Sequence, residues 1–233
     1  MLLALAGCRA EADPAPAAPE PHQETRSAVP TDINDKFLDP TSPVEEWSAR
    51  WEVESREVFA CRDQIVAALA LQPGQAVADV GTGTGLFLGP FSRAVGDAGR
   101  VFAVDIAQKF VDHVQKRAQK EEMHNVVAVL SNERSVALAA GSVDAIFVCD
   151  AYHHFEYHED MLRSIHSALR PGGRLVIVDF ERIPGVSREW ILGHVRAGKE
   201  VVTGEVLGAG FRLEREVKVD GFEENYLLVF TRT

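Results

Sequence analysis

Five short apolar runs punctuate the middle of the chain: Val77–Val80, Val101–Val104, Val126–Leu130, Ala145–Cys149 and Leu175–Val178. Their starts lie 24, 25, 19 and 30 residues apart, the pace of repeated strand–helix units. Between them the apolar period lengthens to that of a helix. Phe110, Val114 and Ala118 form one stripe, and Met161, Leu162, Ile165, Ala168 and Leu169 form another. Runs this uniformly apolar need cover on both faces, which predicts an α/β architecture, a parallel sheet wrapped by helices. After Asp179 the pattern changes. Phe211–Val219 and Glu224–Thr231 flank Asp220-Gly221, a hairpin signal that predicts an antiparallel closing pair.

Upstream, the stretch from Thr31 to Leu71 contains no glycine. Trp47, Trp51, Val58, Cys61, Ile65 and Leu69 recur there at helical spacing, with Ser55 placed to cap a second helix and Pro73-Gly74 to end the region. Residues 32–72 are thus expected to be an N-terminal helical cap on a domain spanning 73–233. Arg9 to Pro30 holds five of the 11 prolines (Pro14, Pro16, Pro19, Pro21 and Pro30) and reads as an extended tether, 8–31. Residues 1–7 are apolar and run into Leu5-Ala6-Gly7-Cys8, which resembles a bacterial lipobox, so Cys8 is a candidate lipid anchor. An anchored Cys8 implies a membrane-attached lipoprotein outside the cytoplasm; the alternative location is cytoplasmic.

Composition narrows the function. With 46% hydrophobic and 25% charged residues the chain is an ordinary globular one. A net charge of −11 argues against a nucleic-acid partner. No apolar run approaches the ~20 residues of a membrane-spanning helix. The three cysteines, Cys8, Cys61 and Cys149, lack metal-ligand spacing. Cys61 on its helical stripe and Cys149 inside an apolar run read as inert buried thiols.

The candidate chemistry sits where the apolar runs stop. Asp79 interrupts the first run, and Asp105, Asn132, Asp150 and Asp179 follow the others. In a parallel sheet the carboxyl ends of the strands share one edge, where ligands bind. Val80-Gly81-Thr82-Gly83-Thr84-Gly85 follows the first strand, and its glycines let backbone approach a ligand where a Cβ would collide. Asp105 lies 20 residues beyond Gly85, placed to accept both hydroxyls of a ribose. A dinucleotide fingerprint needs a third glycine where Leu86 stands, which disfavours an NAD(P)-dependent oxidoreductase.

The G-x-G-x-G spacing preceded by Asp79 resembles the first motif of class I S-adenosylmethionine-dependent methyltransferases. The resemblance covers about Gln75 to Arg232 and includes Leu169-Arg170-Pro171-Gly172-Gly173-Arg174-Leu175, similar to that family's turn before its fifth strand. Within it the chain is most similar to the small-molecule group, methyltransferase type 11, related to quinone C-methyltransferases. The resemblance implies a Rossmann-like, doubly wound, mostly parallel seven-stranded sheet with an antiparallel C-terminal strand pair and N-terminal helices. It implies S-adenosylmethionine as cofactor and a small-molecule acceptor methylated by in-line displacement. Gly81, Gly83 and Gly85, with Thr82, would pass under the cofactor; Asp105 and Ile106 would flank its ribose; Asn132 would face the adenine; Asp150 would pair with the methionine ammonium; Asp79 would order the loop.

For the acceptor, Asp150-Ala151-Tyr152-His153-His154-Phe155 offers His153 or His154 as a base. With His158 they could bind a metal, but adjacent loop histidines do not automatically converge, and no metal site is assigned. Tyr152, Trp47, Trp51 and His194 are candidate acceptor contacts. The Ile183–Gly210 segment could form a lid with Arg196 and Lys199 as an anion-binding pair. The remaining rival reading is a non-catalytic tethered domain that binds a nucleoside ligand.

Overall fold

The computed structural model describes residues 30, 32–54 and 56–233. The lipobox at Cys8, the tether before Pro30 and the Ser55 cap therefore lie outside the described residues.

Seven strands form one sheet: β1 (Ala76–Val80), β2 (Arg100–Asp105), β3 (Val126–Leu130), β4 (Val143–Cys149), β5 (Leu169–Phe180), β6 (Phe211–Glu216) and β7 (Asn225–Arg232). Their spatial order is β3-β2-β1-β4-β5-β7-β6. The first five are parallel, and β7 inserts antiparallel between β5 and β6. The chain leaves β1 in one direction for β2 and β3 and in the other for β4 and β5, so a crevice opens between β1 and β4 at their carboxyl ends.

Nine helices accompany the sheet among the described residues: α1 (Asp35–Leu38), α2 (Val44–Trp51), α3 (Glu57–Ala60), α4 (Arg62–Ala68), α5 (Leu88–Val95), α6 (Gln108–Lys120), α7 (His158–Ala168), α8 (Glu189–His194) and α9 (Lys199–Gly208). Alternation along each strand sorts its side chains into two layers. Val77, Val101, Phe147 and Val176 meet α4, α5 and α6 on one face. Ala78, Val104, Ile146 and Ile177 meet α7 and α9 on the other. Strand β3 departs from the expected full burial. It is an edge, and Val127 and Leu130 are exposed.

Two sequence expectations change in detail. The Trp47–Leu69 stripe is not one surface: α2 ends at Trp51, and its tryptophans join Phe37 and Phe110, whereas Val58 to Leu69 pack under the sheet. The Asp220-Gly221 signal is not a two-residue turn but lies within an eight-residue connection between β6 and β7. That loop is fastened from outside. The Glu57 carboxylate accepts the N–H groups of Glu223, Glu224 and Asn225, and Gln64 exchanges two hydrogen bonds with the Asp220 backbone.

Candidate active site

A cleft of about 890 Å³ lies over the carboxyl ends of β1, β2, β4 and β5. Its floor begins where β1 stops. Gly81 takes φ +77°, and its N–H and that of Thr82 both donate to the Val104 carbonyl, at 2.9 and 3.1 Å, tying the turn to β2. A Cβ on Gly81 would come within 2.6 Å of the Ala151 Cβ, and one on Gly83 within 2.9 Å of the Trp51 ring. These two positions need glycine because the loop is pinched between α2 and the end of β4. Gly85 differs from expectation: it does not line the cleft, and the space its Cβ would need is filled by Leu88 and Val114. Its glycine serves packing. Helix α5 starts only at Leu88, so the loop itself, rather than a helix end, faces the cavity.

Three acids stand along this edge, Asp79 and Asp105 buried and Asp150 half-buried. Asp79 accepts the Thr82 hydroxyl at 2.9 Å, and so orders the loop. Asp105 accepts the N–H of Gly83 through one oxygen and that of Ala107 through the other, both at 2.9 Å. Each oxygen keeps a lone pair for a further donor. Burial pushes Asp79 up to about 7, against the Thr82 hydroxyl and with added repulsion from Asp105. Burial likewise raises Asp105 to about 6, opposed by its N–H donors. Asp150 is raised to about 6 by burial, opposed by Arg56.

Asp150 lines the cleft with partners that the sequence did not reveal. Both of its oxygens already have protein partners: Arg56 Nη2 pairs with one, and Asn225 Nδ2 donates to the other at 2.9 Å. Each oxygen keeps acceptor capacity for one further donor, so the carboxylate is oriented by Arg56 and Asn225 and not used up by them. Arg56 and Asn225 escaped the sequence reading because neither lies in a motif; Arg56 reaches Asp150 across 94 residues. Farther along, Ile106 and Asn132 line the cleft, with the Asn132 Oδ1 accepting the Arg134 N–H at 2.9 Å.

The acceptor candidates divide. His153 and His154 lie on a single 3-10 turn, Tyr152–His154. His153 Nδ1 stands 2.7 Å from Asp179 Oδ1, and its backbone N–H donates to the other oxygen at 3.1 Å. In the neutral ring, a carboxylate at that distance favours the tautomer with its proton on Nδ1, which leaves Nε2 as the acceptor nitrogen. His194, from α8, completes a cluster: its ring centroid is 5.2 Å from that of His153 and 5.1 Å from that of His154. Desolvation, reinforced by the neighbouring histidines, holds His154 far below the usual imidazole range and His194 at about 4. His158, expected near the pair, instead faces Glu205 at 3.4 Å.

Tyr152 is no acceptor contact. It is buried outside the cleft lining, and its hydroxyl donates to Glu205 at 2.9 Å. The Arg196/Lys199 anion pair also dissolves, since Arg196 makes a two-pronged contact with Glu205, and Lys199 bonds Glu181 and Glu216. Trp47 and Trp51 do reach the cleft, packed at tilted angles against each other, Phe37 and Phe110. Cys149 touches the cavity, but burial raises its thiol well above the ordinary range, so it stays protonated.

Comparison with known proteins agrees with this geometry. Residues 78–177 match the family described as "Methyltransferase domain". The matched stretch runs from β1 into β5 and carries the glycine loop, Asp105 and the histidine turn. Over 110 residues, 47% of the chain, the sequence is 32% identical to the ubiquinone/menaquinone biosynthesis C-methyltransferase UbiE of Klebsiella pneumoniae subsp. pneumoniae, covering 44% of it. It is 33% identical to an uncharacterized 37.1 kDa transposon protein of Streptomyces fradiae, covering 31% of that protein. The chain thus spans less than half the length of these curated relatives. Among solved structures, an S-adenosylmethionine-dependent methyltransferase from Aquifex aeolicus superposes with a TM-score of 0.71 at 23% identity, over 83% of this chain and all of that one. The [4+2]-cyclase SpnF superposes with a TM-score of 0.72 at 16% identity, covering 89% and 98%.

Proposed function

We propose that this protein transfers the methyl group of S-adenosylmethionine to an apolar, aromatic small molecule. The observation that carries the reading is the pairing, in one cleft, of a glycine floor at Gly81 and Gly83 with the Asp105 carboxylate, whose oxygens are each oriented by a backbone N–H. The order of strands supports it. Asp105 ends β2 and the histidine turn follows β4, two strand spacings or ~10 Å along the same edge, with the glycine loop between them.

When bound, the cofactor supplies a methyl group already activated on a sulfonium. The chain's task is then largely to hold the partners in line and to exclude water. Asp105 takes the ribose hydroxyls, Ile106 and Asn132 border the base, and Arg56 offers a cation to the amino-acid carboxylate while Asp150 faces its ammonium. Trp47, Trp51 and Trp190 give the acceptor end flat apolar walls, which suits a ring of the sort that the quinone-pathway relatives' name implies. His153, His154 and His194 stand where the acceptor's reacting atom would lie; imidazole nitrogens there can take a proton or bind a cation. The Leu5–Cys8 motif supports a lipid anchor as a finer reading, which the intact mass of the native N-terminus tests. Among the described residues, no helix is long and apolar enough to cross a membrane.

Because a cyclase shares this fold, methyl transfer itself must be measured. Full-length protein with methyl-labelled S-adenosylmethionine and a panel of phenols, quinols and aromatic amines is expected to release S-adenosylhomocysteine and a labelled product. Tighter calorimetric binding of NADH than of S-adenosylmethionine would overturn the reading; cofactor binding without transfer to any acceptor would favour a sensor.

The raised acids make binding pH-dependent. Ribose hydroxyls donate to ionised Asp105, whose carboxyl titrates near 6 in the free protein. Affinity is expected to fall up to about tenfold per unit as pH drops below 6 and to level off above 7. Stability of the ligand-free fold runs oppositely. A carboxyl raised from 3.8 contributes stability that is present below that value and is lost as pH climbs through 6 to 7. Calorimetry from pH 5 to 8 reads the first effect; a flat profile would remove Asp105 from the ribose.

A further inference from the structure

His153, His154 and His194 come from two segments 40 residues apart, yet one ring nitrogen of each lies within 4.8 Å of those of the other two. All three line the cleft. Each is presented in a different way. The Asp179 carboxylate fixes the His153 ring through Nδ1, the carboxylate–imidazole arrangement that orients metal-binding histidines and raises their basicity. His154 is held through its backbone, where Asn34 Nδ2 donates to its carbonyl at 3.1 Å, and its own Nδ1 is buried without a hydrogen-bond partner. A buried ring nitrogen left unsatisfied is costly unless something else meets that site. His194 closes the group from α8, with Trp190 on the same helix packed edge-on against Phe180.

We infer that His153, His154 and His194 form a binding site for a divalent transition-metal ion, of the zinc, cobalt or nickel class that imidazole nitrogen favours. Three imidazoles leave a fourth coordination position, and the cleft that all three line gives a water or an acceptor atom a way to reach it. Ligands on a tetrahedral ion at ~2.0–2.1 Å stand about 3.3 Å apart, so loading draws the rings together by at most about 1.5 Å, within reach of side-chain torsions. Nothing in the histidine pair's local spacing announces this. His158, four residues on, is turned to Glu205, and the third ligand arrives from a different helix. Metal binding stands apart from the methyltransferase reading. Its use rests on that reading: an acceptor hydroxyl or thiol that ligates the ion gives up its proton to solvent more readily.

Tag-free full-length protein, stripped with chelator, is titrated with Co²⁺ and followed by visible d–d absorption and calorimetry. S-adenosylmethionine titrations run on every sample. One equivalent of Co²⁺ is expected, displaced by Zn²⁺. His194→Ala and His154→Ala should each weaken it at least 10-fold, and Asp179→Asn 10- to 100-fold. No d–d bands in the wild type, or unchanged Co²⁺ affinity in both histidine variants, would overturn the site. If that happens while S-adenosylmethionine still binds, the metal inference alone fails; loss of S-adenosylmethionine binding in the wild type instead sinks the proposed function.

Discussion

Asp105→Ala is expected to weaken S-adenosylmethionine binding about 100-fold. In the proposed complex the carboxylate would offer a charged acceptor to each of two ribose hydroxyls, and hydrogen bonds to charged groups contribute roughly 1.5–3 kcal/mol apiece. Losing both while water replaces them imperfectly costs about 3 kcal/mol, or two orders of magnitude in affinity. The same oxygens hold the N–H groups of Gly83 and Ala107, so alanine also loosens the glycine turn. Asp105→Asn separates the two effects, because its amide keeps one acceptor oxygen; its loss should be intermediate. Calorimetric titration of both variants, with thermal melts to confirm folding, reads the result. Affinity within threefold of wild type for the alanine variant would mean that the ribose lies elsewhere.

A stability effect of comparable size is expected from Glu205→Ala, about 3–5 kcal/mol. Glu205 and Arg196 are 5% and 3% exposed, and the guanidinium donates to both carboxylate oxygens, at 2.8 and 2.6 Å. Tyr152 donates to one of those oxygens as well. Alanine removes the carboxylate that compensates a deeply buried cation, a loss far greater than that of an exposed pair. In a chain of this length each kcal/mol moves the midpoint by roughly 2–4 °C, so the melting temperature should drop by about 6–20 °C. The pH dependence has a definite sign. Burial alone would raise the Glu205 carboxyl, but hydrogen bonds from Arg196 and Tyr152 hold it below its ordinary 4.5. Its contribution is therefore present above that value and fades as pH falls through the lowered one. The gap between wild type and variant should narrow in acid, and Glu205→Gln, which keeps an acceptor, should fall between them. A drop under 3 °C at neutral pH would show the network to be dispensable.

This buried network also explains why Tyr152 and Arg196 misled the sequence reading. Both residue types suit a ligand site, and both sit close to one in the chain. The fold spends them on each other instead, behind the sheet edge, because Glu205 on α9 packs against the turn that follows β4.

What the sequence determined by itself is the parallel sheet, the glycine turn after β1 and the acid after β2. Those features are local: strand period, a backbone conformation only glycine adopts easily, and a fixed count of residues between two strand ends. Once the strands are parallel, their ends share an edge, and Asp79, Asp105 and Asp150 must gather there. Tertiary structure alone decided the partners. Arg56 meets Asp150, Asp179 orients His153, and His194 joins His153 and His154 only because α3, β5 and α8 fold back over the same crevice. It likewise turned Gly85 from cofactor to packing and split the Trp47–Leu69 stripe between two surfaces. Contacts of this kind depend on how separate segments lie against one another in space, and no periodicity within any one segment carries that information.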